Sequence, residues 1–257
     1  MDEAVLLDCL FITNITPLFF VETLAALEKE MAQSNRTPEQ IVGDIAHKTP
    51  VMGSSPNVYH TNLLAANLMG QKVTMRGVPM IGGGIPLAMD NKTGIIHEEF
   101  PEAEAFNRWQ KGEFLDIERK IAHSWRDTLS NLNLEDSYKS FQSFFGNKQK
   151  PRTFSEAKKF VDDFINIEGR RVVLTTALDI LGIPEHSQKI VIERWEKEGQ
   201  PILWDFAPYA IYVFSVDLFF YISIASDLIS RARPSNKVDM AYLYYLPFCS
   251  IFTSNDH

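Results

Sequence analysis

The sequence predicts an α/β protein in which the chain ends supply a parallel sheet and a large, mostly helical insertion lies between them. Three observations lead there. The chain opens on a short apolar run, AVLLDC (Ala4 to Cys9), with an acid near its end. It closes on another, CSIFTS (Cys249 to Ser254), followed by Asp256. Between them the apolar residues recur mostly at helical spacing. Short apolar runs with acids at their carboxyl ends suit buried parallel strands. The first and last strands must then be neighbours, which assigns residues 1–35 and 200–257 to the α/β core and residues 36–199 to the insertion.

After the first strand, TPLFFVETLAALEKEMAQ reads as a helix. Thr16 caps it, Pro17 suits its first turn, and Phe20, Leu24, Leu27 and Met31 form its apolar stripe. Residues 38–70 read as helical with interruptions at Pro50, Gly53 and Pro56. Gly82-Gly83-Gly84 and the neighbouring prolines break that pattern and predict a hairpin or irregular lobe. From Pro101 to Gln200 several helices follow, one started by Thr153 or Ser155 and one opened by Pro184. A long apolar helix runs from about Ile202 to Arg231. A linker, RARPSNK, then leads into VDMAYLYYLPF, a helix stopped by Pro247.

The composition is that of a globular protein, with 45% apolar and 23% charged residues. A net charge of −8 argues against a surface coated for non-specific nucleic-acid binding. It leaves room for local contact, because a metal ion held by carboxylates reverses the charge that a phosphate meets. Cys9 and Cys249 each sit in an apolar run, and Met1 to Glu3 is acidic rather than basic. A reduced, cytoplasmic chain is expected. Ala207 to Ala225 is long enough to cross a membrane, but Asp217 stands at its centre, where a charge costs roughly 2.5–3.5 kcal/mol. A buried core helix is the expectation, with Asp217 paired to Arg170 or Arg171 in preference to joining a metal site.

The candidate chemistry lies in the acids. Asp239 begins a predicted helix and Asp256 follows the next strand, seventeen positions later. With Asp8 at the end of the first strand, these acids would meet at the carboxyl edge of the sheet, where open α/β folds place their sites. Such a cluster needs a cation, and oxygen-only ligands favour Mg²⁺ or Mn²⁺. Weighed one at a time, each acid also has a plain structural use, as a turn, a solvated helix position or a first-turn residue.

The ending from Asp239 to Asp256, an acid, a helix, a short apolar strand and then Ser/Thr-x-Asp, resembles the PIN-domain pattern. Val5 to Asp8 resembles the first PIN strand, and Phe20 to Leu24 resembles the helix that carries the second acid of that family. The resemblance implies a PIN-like parallel sheet and a metal-dependent ribonuclease. Asp8, Glu22, Asp239 and Asp256 would be its metal-binding and catalytic acids, and Ser254 a hydroxyl at the site. It covers about fifty residues, with some two hundred between Glu22 and Asp239.

Two stretches are basic. Arg231, Arg233 and Lys237 precede Asp239 with no acid among them, and residues 147–171 hold seven Lys or Arg against four acids. The first is the expected contact to an RNA, or DNA, backbone. Two rival readings stand beside the nuclease. One is an interaction protein without turnover, whose C-terminal sheet edge is covered by a protein partner or a second copy. The other is a metal-dependent hydrolase of small phosphate esters. The six histidines show no zinc spacing, and the triple glycine lacks the Gly-Lys-Ser/Thr of a phosphate loop.

Overall fold

The computed structural model describes residues 14–28, 36–49, 55–81, 85–89, 92–96, 101–146 and 149–252. They are predominantly helical. The described residues divide into two compact units, the first drawn from Met1–Tyr59 and Val78–Asn131, the second from His60–Gly77 and Leu132–His257.

In the first unit, β1 (Asn14–Ile15) leads into α1 (Pro17–Leu24). Thr16 caps that helix as its sequence predicts: its Oγ1 accepts from the Phe19 N–H at 3.1 Å, and Pro17 fills the first turn. A 3-10 turn, Ala25–Glu28, continues it. Next comes α2 (Pro38–Lys48), opened by a reciprocal capping box between Thr37 and Gln40. Then follow β2 (Ser55–Pro56), the hairpin strands β3 (Ile85–Met89) and β4 (Lys92–Ile96), α4 (Pro101–Trp109) and α5 (Asp116–Ser130), with α3 belonging to the second unit. Leu24, Val42, Phe106 and Trp109 are fully buried in one core, with Phe20 packed against Phe106 and Trp109. A Cβ on Gly43 would stand 3.0 Å from the Trp109 carbonyl, so α2 approaches α4 as closely as it does only without a side chain there.

The second unit starts with α3 (His60–Leu68) and resumes with α6 (Leu134–Gln142), a 3-10 turn (Ser143–Phe145), α7 (Phe154–Ile167), α8 (Arg170–Ile180) and α9 (Glu185–Lys197). It closes with α10 (Leu203–Phe206), α11 (Pro208–Ala225), α12 (Ser235–Tyr242) and a 3-10 segment, Leu243–Phe248. Helix α11 is its axis, packed by α3, α6, α7 and α8. It is long and apolar enough to cross a membrane, and two thirds of it is buried within the protein. The predicted single helix from Ile202 breaks at Ala207, whose φ of −148° is not helical, and Pro208 restarts it.

Ala207 has no side chain able to cap α11. Asn67, at the end of α3, does this from a distance: its Oδ1 accepts from the Tyr209 N–H at 2.9 Å and the Ala210 N–H at 3.1 Å. Arg194 of α9 fixes the same end of α3. Its guanidinium donates to the Leu68 carbonyl at 2.6 Å, stacks 4.1 Å from the Phe206 ring and pairs with Glu198. Gly70, at φ +89°, leaves room for that guanidinium; a Cβ would come within 3.1 Å of it.

The α/β expectation fails, and with it the PIN-like resemblance. Strand structure among the described residues is a parallel pair two residues long, Asn14 with Ser55 and Ile15 with Pro56, and the antiparallel hairpin β3–β4. Neither is a parallel sheet joining the chain ends. The predicted first strand, Ala4 to Cys9, lies outside the described residues. In the predicted last strand, Cys249 to Phe252 pair with no strand, and Ile251 and Phe252 are both exposed. A central parallel strand would bury both. The burial goes instead to the preceding 3-10 segment, where Tyr244, Tyr245 and Phe248 fill the core.

Candidate functional site

Three of the residues singled out by sequence, Asp8, Ser254 and Asp256, lie outside the described residues. Glu22 sits on α1, half-buried, in the first unit. Asp239 sits on α12, exposed, in the second. Among the described residues no three His, Cys, Asp or Glu side chains gather as a metal-binding group.

The three basic residues before Asp239 have different fates. Arg231 is held against the surface of the second unit, its guanidinium 3.9 Å from the Tyr138 ring, 3.4 Å from Glu135 and 3.5 Å from Asp227. Arg233 is exposed. Lys237 is turned inward and bound to Asp217.

That last pair gathers several charged and polar groups at one point of the second unit. Asp217 is 7% exposed on an otherwise apolar helix. An isolated carboxylate there would lose its hydration without return, so it requires donors. Lys237 of α12 and the hydroxyl of Tyr244 both donate to its Oδ1. Lys237 also donates to the Tyr244 hydroxyl at 3.2 Å and lies 4.9 Å from the Tyr221 ring and 5.2 Å from Phe220. His60, at the start of α3, has its ring centroid 4.8 Å from that of Tyr244, tilted by 42°, and its backbone N–H donates to the Tyr245 hydroxyl at 3.2 Å. The expected partners of Asp217 are occupied elsewhere. Arg170 donates to the Gln200 carbonyl at 2.9 Å, and Arg171 pairs with Glu196.

Burial sets the proton affinities here. It pushes the Tyr244 hydroxyl far above the ordinary tyrosine range, and the Asp217 charge adds to the effect. The same two causes, in the same order, raise Tyr221 to about 12. Burial lowers His60; Asp217 opposes that shift and Lys237 reinforces it. A phenol held protonated as a donor and a lysine matched to a carboxylate are poor nucleophiles. The arrangement is suited to holding elements together.

Sequence reading missed Tyr244 and His60 and took Lys237 for a surface residue. One signal was available. Lys237, Met240, Ala241 and Tyr244 recur at i, i+3, i+4 and i+7, a stripe that aligns the lysine with the buried tyrosine.

The first unit carries a shallow groove of about 330 Å³ lined by Val21 of α1 and by Ile117, Ile121 and Trp125 of α5. Ile117 and Ile121 are exposed. No family model, no curated protein and no solved structure matches the chain.

Proposed function

We propose that the chain is a metal-dependent phosphodiester hydrolase acting on RNA, with Asp239 as one of its acids. The observation that supports the reading is the way α12 presents this residue. Lys237 anchors the helix through Asp217, while Asp239, two residues on, is exposed. A carboxylate on a helix fixed from behind is a better ligand than one on a loop. The exposed Arg233 supplies a cation in the segment just before the helix, available to a phosphate. In a protein of net charge −8, Mg²⁺ or Mn²⁺ held by such acids would offset the repulsion of an anionic substrate, activate water and bind a phosphate oxygen.

The test is cleavage of short RNAs and of phosphate monoesters with Mn²⁺, Mg²⁺ or chelator, together with calorimetric Mn²⁺ titration. Wild type is compared with Asp239→Asn and, one at a time, with Asn variants of Asp8 and Asp256 and the Gln variant of Glu22. RNA cleavage that needs the metal and falls at least a hundredfold in Asp239→Asn supports the reading. Turnover confined to monoesters replaces the substrate. Absence of both metal binding and cleavage contradicts the whole proposal.

A further inference from the structure

One carboxylate in the second unit serves more groups than it can neutralise. Asp217 of α11 is matched by the single charge of Lys237 on α12. His60 enters the same cluster from α3 by packing its ring against that of Tyr244, beside Tyr245. The groups facing His60 are therefore Asp217 on α11, Lys237 on α12, and Tyr244 and Tyr245 on the 3-10 segment. Its own helix, His60–Leu68, brings no acid and no other base. With His60 neutral the charges balance. With His60 protonated, two cations share one buried carboxylate.

We propose that His60, Asp217, Lys237 and Tyr244 form an acid-sensitive latch that holds the segment Ser235–Phe248 against α11 and α3 and releases it when His60 takes up a proton. The latch joins four elements at one point, so its loss acts on the segment that carries Lys237 and Tyr244 rather than on α7, α8 or α9, which bring no side chain to it. The direction follows from linkage. Burial holds the folded-state affinity of His60 for protons below the usual value of 6.5, so the freed segment binds a proton more readily than the latched one. The latch is fully closed above that value and weakens as pH falls through it.

The experiment is hydrogen exchange of the full chain at pH 7.5, 6.5 and 5.5, corrected for intrinsic rates, on wild type, His60→Gln and His60→Phe. The wild-type protection of residues 235–248 is expected to fall several-fold from pH 7.5 to 5.5, up to about tenfold per unit of difference between the two proton affinities. Protection in α7–α9 is expected to stay constant. Both variants should lose the pH dependence, His60→Phe keeping the ring contact with Tyr244. An unchanged decline in the variants, a decline spread evenly over the unit, or no decline in wild type overturns the proposal.

Discussion

Among the described residues each unit buries one acid, and the two are satisfied in opposite ways. Glu118, 5% exposed in the first unit, is served locally. It accepts from the Leu115 N–H at 2.8 Å and pairs at 2.6 Å with Arg108, ten residues away on the preceding helix. Asp217 in the second unit reaches groups 20 and 27 residues along the chain, on other elements. Glu118 thus closes a helix start, whereas Asp217 joins α11 to the segment that follows it. The Leu115 contact forms whenever its helix forms, and the Arg108 pair needs only the neighbouring helix beside it. The distant cluster forms only when the whole unit is assembled, so its loss should be felt more widely.

The comparison fixes an order of effects. Asp217→Ala leaves the Lys237 ammonium poorly exposed and unmatched, and should cost about 3–5 kcal/mol in urea unfolding. Asn67→Ala uncaps two buried N–H groups at the start of α11, with an expected loss of about 2 kcal/mol. Glu118→Gln keeps an acceptor for the Leu115 N–H and leaves Arg108 partly in water. About 1–2 kcal/mol should be lost, and a loss equal to that of Asp217→Ala would erase the distinction between the units. Lys158→Ala removes a surface pair with Asp162 and should change stability by less than about 0.5 kcal/mol. Acid adds a further contrast. Stability of the second unit should decline as pH falls through about 6.5 because its unfolded chain protonates His60 first, and His60→Gln should abolish that part of the decline.

Local signals were legible. Thr16 with Pro17, and Thr153, each start a helix through a contact three residues on. Pro184 opens α9 as expected, and Gly199, at φ +82°, follows its end. The burial of Ala207 to Ala225 followed from its composition, and so did the need for a partner at Asp217. What was not legible was distant. The run CSIFTS has the composition of a strand, but strand formation requires a neighbouring edge, and Ile251 and Phe252 have none to bury them. The partner of Asp217 was sought in the Arg170–Arg171 pair, yet the lysine that fulfils it is brought in by the turn after α11, where Asp227 adopts φ +60°. Of the expected metal-binding acids, the described residues include Glu22 and Asp239, one in each unit.

A double-mutant cycle between Asp217 and Lys237 tests most directly whether this buried pair anchors α12. Urea unfolding would be measured for wild type, Asp217→Asn, Lys237→Met and the double variant. The double variant should be more stable than the sum of the two losses predicts, with a coupling of about 1–3 kcal/mol, because it removes both buried charges together. Additive losses, within about 0.5 kcal/mol, would show that the two residues act independently and would contradict the account.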